Sequence, residues 1–166
     1  MSQLTGLLNS THRKMVFFCG KKMLDDYLHY QAGQDVKRKL SACFVLIEHG
    51  TGIIQGYYTL ANNSISLNLI PPDIQRKLPK YSAIPTTLLG RLAIDSRFKG
   101  MGIGKLLLID ALKRSFMLSE SIGSFAVIVD PLDEEANEFY KKFGFIKLPD
   151  SGKLFLPMQT IKQLFK

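Results

Sequence analysis

The period of the apolar positions changes several times along the chain, and each change marks an element. Residues 1–14 have no periodicity and read as an irregular lead-in; Met15-Val16-Phe17-Phe18 is then a short apolar run that Cys19-Gly20 ends. From Lys21, apolar and amphipathic residues at Met23, Leu24, Tyr27, Leu28 and Gln31 recur at three- and four-residue steps, which predicts a helix. Gly33 is expected to break it, with residues 34–39 forming a second short, basic helix. Residues 42–48 form a buried strand, His49-Gly50-Thr51-Gly52 a turn, and the β-branched and aromatic run 53–60 returns as the other arm of an antiparallel hairpin. Residues 64–67 either continue that strand or form an edge. Prolines at 71, 72 and 79 bracket a helix of one or two turns, and a long strand runs up to Asp95. A helix over 104–118 and an almost wholly apolar strand over 124–129 follow, the latter as expected for a strand covered on both faces. Asp130-Pro131 predicts the start of the next helix, with Asp133, Glu134 and Glu135 in its first turn and Gly144 as its left-handed cap. Strands at 145–148 and 154–157 flank a turn. The amphipathic close of the chain has a spacing compatible with packing on the core or on a second copy in a homodimer. Without repeats or linkers, the pattern predicts one α/β domain over residues 1–166.

Composition narrows the class. A chain of 166 residues, 46% of them apolar, can bury a sizeable core and is not of the disordered type. No uninterrupted apolar run approaches the roughly 20 residues that span a bilayer, and the first six residues lack the basic start and apolar core of a secretion signal. Cys19 and Cys43 are too few for a disulfide framework or a zinc site and read as reduced, buried thiols. His29, between two tyrosines, reads as a partly exposed helix residue with no second ligand at a metal spacing, so no metal is expected. A cytoplasmic protein that meets no membrane is the expectation.

The formal charge of +8 changes the picture more. Basic clusters lie at Arg13-Lys14, Lys21-Lys22, Lys37-Arg38-Lys39, Arg76-Lys77, Lys80, Lys113-Arg114 and Lys141-Lys142. Such a surface suits a polyanion or a phosphate-rich cofactor. Clusters this scattered also suit ordinary solvation, and only folding can gather them.

The candidate chemistry starts at Arg97-Phe98-Lys99-Gly100-Met101-Gly102-Ile103-Gly104-Lys105, between the long strand and the helix over 104–118. Alternate glycines free the backbone to curl, and the first N–H groups of the helix lack intrahelical partners. With the positive end of the helix dipole and cations at Arg97, Lys99 and Lys105, this makes an anion cradle. It is not a dinucleotide fingerprint, because the third glycine falls at Gly104, two residues on rather than three, and it lacks the Lys-Ser/Thr of a P-loop.

Arg97-x-x-Gly100-x-Gly102 resembles the pyrophosphate loop of the GNAT N-acetyltransferases. Downstream, Asn137-Glu138-Phe139-Tyr140-Lys141-Lys142-Phe143-Gly144-Phe145 is similar to the second signature of that superfamily, with a strand between the two in the required order. Phe18-Cys19-Gly20, Leu24-Asp25-Asp26-Tyr27-Leu28, Gly56-Tyr57-Tyr58-Thr59-Leu60, Leu89-Gly90-Arg91-Leu92-Ala93-Ile94-Asp95 and Leu154-Phe155-Leu156-Pro157-Met158 resemble one branch of it, the acetyltransferases of toxin–antitoxin systems. The resemblance implies a GNAT fold: a central mixed, mostly antiparallel sheet, splayed between the fourth and fifth strands, with helices on both faces. It implies acetyl-CoA as co-substrate, the α-amino group of aminoacyl-tRNA as acceptor, a consequent block of translation, and a small ribbon-helix-helix antitoxin as partner. Backbone N–H groups around Gly100, Gly102, Gly104 and Lys105 would then hold the pyrophosphate, with Arg97 at the motif's first position. The backbone of Leu92, Ala93 and Ile94 would pair with the pantetheine arm as though it were an added strand. Asn137 would bind the pantetheine, and Tyr140, three residues on and on the same helix face, would protonate the leaving thiolate.

A general base is harder to find. A lysine acceptor, with a pKa of about 10.4, needs a strong one, whereas an α-amino group near 8 is already partly neutral. The strand over 82–94 carries no carboxylate, and Glu48 and Asp95 read as solvent-facing residues at strand ends. That favours an α-amino acceptor, and the net charge suits one that brings phosphates; Lys37, Arg38, Lys39, Arg76 and Lys77 are the expected contacts. Transfer to a small amine, polyamine or protein N-terminus, or a non-catalytic module that binds acyl-CoA or a partner, remain alternatives on the residues alone.

Overall fold

A computed structural model of the protein describes residues 4–165. Its strands are β1 (Gly6–Leu7), β2 (Ala42–Ile47), β3 (Ile54–Ser66), β4 (Ala83–Ile94), β5 (Ala126–Val129), β6 (Ile146–Lys147) and β7 (Leu154–Pro157), in the sheet order β1-β2-β3-β4-β5-β7-β6. The sheet is mixed: β4 and β5 are parallel, and β1–β2, β2–β3, β5–β7 and β6–β7 are antiparallel. The chain forms two compact units, residues 1–61 with 89–112 and residues 62–88 with 113–166.

In the first unit, the lead-in is not irregular throughout. β1 is an edge strand in register Gly6↔Val45 and Leu7↔Phe44, and Leu8 turns its side chain into the core. The helical region is also more continuous than its glycine suggests. α1 (Lys22–Asp26) runs through a π turn, Tyr27–Gln31, straight into α2 (Ala32–Lys37). Gly33 therefore does not break the helix; a Cβ there would lie 3.3 Å from Lys14 Nζ, so its small size admits a neighbour. His29 is half-buried on the π turn, with Nε2 2.7 Å from the Phe17 carbonyl.

The hairpin β2–β3 decides what each helix meets. Residues alternate faces along a strand. The Tyr57 hydroxyl donates to Leu24 O of α1 at 2.7 Å, while the Tyr58 hydroxyl donates to Asp110 on α4 (Ile103–Ser119) at 2.7 Å, so helices cover both faces. Phe17, Tyr27, Leu28, Ala32, Cys43, Val45, Ile54, Tyr57 and Ala93 form the core on one side; Cys19 packs with them, and both thiols are free and buried. On the α4 side the approach is close. A Cβ at Gly56 would lie 2.7 Å from Leu107 Cδ1 and 2.9 Å from the Ala93 carbonyl oxygen. Gly56→Ala should thus cost about 1–3 kcal/mol of overpacking. Thermal denaturation followed by circular dichroism should show a fall in Tm of roughly 2–12 °C for a chain of this size, and an unchanged Tm would contradict the close packing.

In the second unit, β4 pairs with β5 only at Thr87↔Val127 and Leu88↔Ile128, and β5 is wholly buried. Residues 64–66 continue β3. The short helix α3 (Pro72–Gln75) follows its prolines as expected. α5 (Glu134–Lys142) starts later than Asp130-Pro131 suggests, because Asp133 is its cap: the Asp133 carboxylate accepts from the Ala136 amide at 2.9 Å. A capping carboxylate satisfies an orphan first-turn donor, which a proline start cannot do. Gly144, at φ +95°, ends the helix, and its amide donates to Lys141 O. The terminal helix α6 (Met158–Leu164) buries Met158 and Ile161 within the chain.

Candidate functional site

The end of β4 is tied down by one carboxylate. Asp95 is 1% exposed, so it is not the solvent-facing strand end that its position suggests. It accepts from the Phe18 amide at 3.0 Å, the Arg97 amide at 2.9 Å, Arg97 Nε at 2.8 Å and Arg97 Nη2 at 3.0 Å. Burial pushes this carboxyl up, but the Arg97 side chain and the two amides together outweigh burial and hold it below the usual carboxylate range. A carboxylate with this many donors is a poor proton acceptor, and it is excluded as the general base on that ground. The Ser96 amide donates to Phe18 O at 2.8 Å and Lys99 Nζ to Cys19 O at 3.0 Å. The cations Arg97 and Lys99 thus clamp the segment 16–20 against the turn Ser96–Phe98.

What the loop leaves open is backbone. Gly100 and Gly102 have φ of +80° and +77°, and a Cβ on either would meet nothing within 4 Å. A curled, unobstructed backbone leading into the first turn of a 17-residue helix, α4, matches what a phosphate needs. Gly104 is buried and Lys105 exposed in that first turn. On β4, Ala93 faces the core, while Leu92 and Ile94 are half-buried.

In the second unit, α5 carries Asn137 and Tyr140. The Asn137 amide nitrogen donates to Glu134 Oε1 at 3.2 Å, and the residue lines a cavity of about 430 Å³ with Glu134, Lys147, Asp150 and Lys153. The Tyr140 ring is 6% exposed and packs at 5.3 Å between centroids on both Phe139 and Phe145. Its hydroxyl makes no hydrogen bond among the described residues. Burial pushes its pKa up, so the phenol stays protonated.

Lys37, Arg38 and Lys39 are exposed at the end of α2 in the first unit, and Arg76 and Lys77 are exposed after α3 in the second. The first unit also holds Arg91, a charge inside an otherwise uncharged strand. Its guanidinium lies 3.5 Å from the centre of the Tyr27 ring. The Tyr27 hydroxyl donates to Asp35 Oδ2 at 2.8 Å, and Gln31 Nε2 donates to Asp35 Oδ1 at 2.8 Å.

The acetyltransferase (GNAT) domain family matches residues 40–147. A tRNA-acetylating toxin of Mycobacterium tuberculosis (strain ATCC 25618 / H37Rv) is 36% identical over 149 residues, 89% of this chain and 87% of the relative. Among solved structures, AtaT complexed with acetyl-methionyl-tRNAfMet is 30% identical with a TM-score of 0.90, covering 98% of both chains. A tyrosine-to-phenylalanine mutant of AtaT, bound to acetyl-CoA and the C-terminus of the antitoxin AtaR, is 27% identical with a TM-score of 0.82, covering 98% of this chain and 97% of that one. The chain belongs to the GNAT acetyltransferases, in the branch that contains the tRNA-acetylating toxins.

Proposed function

We propose that the protein is a cytoplasmic toxin that acetylates the α-amino group of aminoacyl-tRNA with acetyl-CoA, blocks translation by doing so, and is neutralised by a small antitoxin. The observation that carries this reading is the open glycine cradle at Gly100 and Gly102 leading into α4; in the other unit, Tyr140 is buried and its hydroxyl has no partner among the described residues. The relatives supply the acceptor, and the absence of helices long and apolar enough to cross a membrane among the described residues is compatible with the compartment.

Acetyl-CoA supplies an activated acetyl thioester. Amides of Gly100, Gly102, Gly104 and Lys105 hold its pyrophosphate, aided by the α4 dipole. Arg97 supports this loop from behind, through Asp95. Leu92, Ala93 and Ile94, beyond the last β4–β5 pair at Leu88, offer strand backbone to the pantetheine arm, and Asn137 offers an amide. The neutral amine forms the new C–N bond as the C–S bond breaks. Tyr140 gives its phenolic proton to the departing sulfur and regains one from solvent, to which the amine loses its own. With Asp95 committed and no carboxylate on β4 itself, an acceptor amine that is already partly neutral fits best, as that of an aminoacyl ester is.

Incubation with labelled acetyl-CoA and charged tRNA tests the reading. Label should appear on the aminoacyl end and disappear on deacylation; label on free amino acid or on protein, with none on tRNA, would refute the acceptor.

A further inference from the structure

Two arginines flank the segment Leu92–Ile94, and the structure uses them differently. Arg97 is committed to Asp95 through two side-chain bonds. Arg91 makes no hydrogen bond or ion pair among the described residues. It is half-buried, lies on the face of Tyr27, and is close enough to the Asp35 carboxylate to attract it without an ion-pair contact. A cation over an aromatic face is held in orientation while its N–H edge stays available, since stacking uses the plane of the guanidinium and not its donors. Tyr27 is itself fixed by Asp35, which Gln31 holds in turn, so the platform is set from three positions across the π turn and α2. Burial, then the bond to Asp35, push the Tyr27 phenol up to about 12, which keeps the platform neutral and the donor in place at working pH. Asp35 does not neutralise Arg91 by a direct ion pair. Two residues after Asp35 begin the exposed cations Lys37, Arg38 and Lys39, in the same unit.

We infer that Arg91, oriented by Tyr27 and Asp35, is a specificity-determining residue that binds a phosphate of the nucleic-acid acceptor next to the Leu92–Ile94 segment. It rests on the proposed acceptor class and deepens it: Lys37, Arg38 and Lys39 attract the polyanion, and Arg91 fixes its reacting end. A planar fork of donors suits a phosphate's two oxygens in a way an ammonium does not. Acceptors that carry the same amine without a phosphate gain nothing from it.

The test measures binding of deacylated tRNA by the full chain across a salt series, with labelled transfer to charged tRNA run alongside. Arg91→Gln should weaken binding by roughly five- to twentyfold and reduce the slope of log K against log salt by about 0.7, the loss of one single-strand phosphate contact. Arg91→Lys should retain the wild-type slope, since it keeps the charge, but bind two- to fivefold more weakly, roughly the loss of bidentate geometry. An unchanged slope in Arg91→Gln overturns the inference and leaves Arg91 a packing residue on Tyr27. If Arg91→Gln does not fold, Arg91→Lys decides alone, and wild-type affinity in it overturns the inference. Absence of label on charged tRNA with the wild type refutes the acceptor reading, while the binding slopes still report on Arg91.

Discussion

Tyr140→Phe should lower kcat for acetyl transfer by about 100- to 10,000-fold, the range that a positioned general acid contributes. Acetyl-CoA binding, read by calorimetry, should be retained, because the variant keeps the ring that packs on Phe139 and Phe145. The melting temperature should hold as well, since the lost hydroxyl bonds nothing within the described chain. The pH profile sharpens the assignment. An acid works while protonated and fails as pH rises through its pKa. Burial raises that of Tyr140 above its ordinary value of about 10, so kcat should show no falling limb from this group up to that pH. Wild-type turnover in the variant would remove Tyr140 from the chemistry.

Asp95→Ala should be the most destabilising single change near the loop. It removes the acceptor of four hydrogen bonds and leaves the part-buried Phe18 and Arg97 amides without theirs. We expect a loss of about 3 kcal/mol, from removing bonds to a charged group and leaving donors unmet. That corresponds to a fall in Tm of roughly 6–12 °C at neutral pH. The carboxyl is held below its unfolded pKa of about 3.9, so its stabilisation is present above that value and lost as pH falls through the lower folded one. The gap in Tm between wild type and variant should therefore close as the pH drops below about 4. A gap independent of pH would mean that the clamp works through packing rather than charge.

These two residues differ in how far the sequence reveals them. Tyr140 stands in a helix at a fixed step from Asn137, and the helical period alone places both on one face of α5. Asp95 shows only its position after a strand, which reads equally as exposed; its burial comes from the segment Phe17–Gly20, far away in the chain, which folds over it. The cation Arg97 misleads for the same reason. Its spacing to Gly100 and Gly102 marks an anion loop, but its guanidinium is taken by Asp95, and spacing carries no information about which partner a side chain finds. Gly33 has a low helix propensity, yet the helix runs on through it into α2, where the missing side chain leaves room for Lys14. Asp130-Pro131 carries two start signals and still loses to Asp133, whose carboxylate reaches a first-turn amide.

Elements with a local cause were legible without any structure: the apolar β5, the cap at Gly144, the hairpin turn, the positive-φ glycines of the loop into α4. Each depends on residues within a few positions, where backbone sterics and hydrogen-bond geometry act directly. Contacts between distant segments were not. The β1 edge, the Tyr57 and Tyr58 bonds to helices on opposite faces and the stacking of Arg91 on Tyr27 all join residues whose separation in sequence is large. Local pattern carried the order of elements from Met15 onward and the motifs that mark the family. Whether a side chain such as Asp95 or Arg97 is buried, paired or open is settled only in the tertiary structure, because burial and pairing arise when remote segments, here Phe17–Gly20, close on one another.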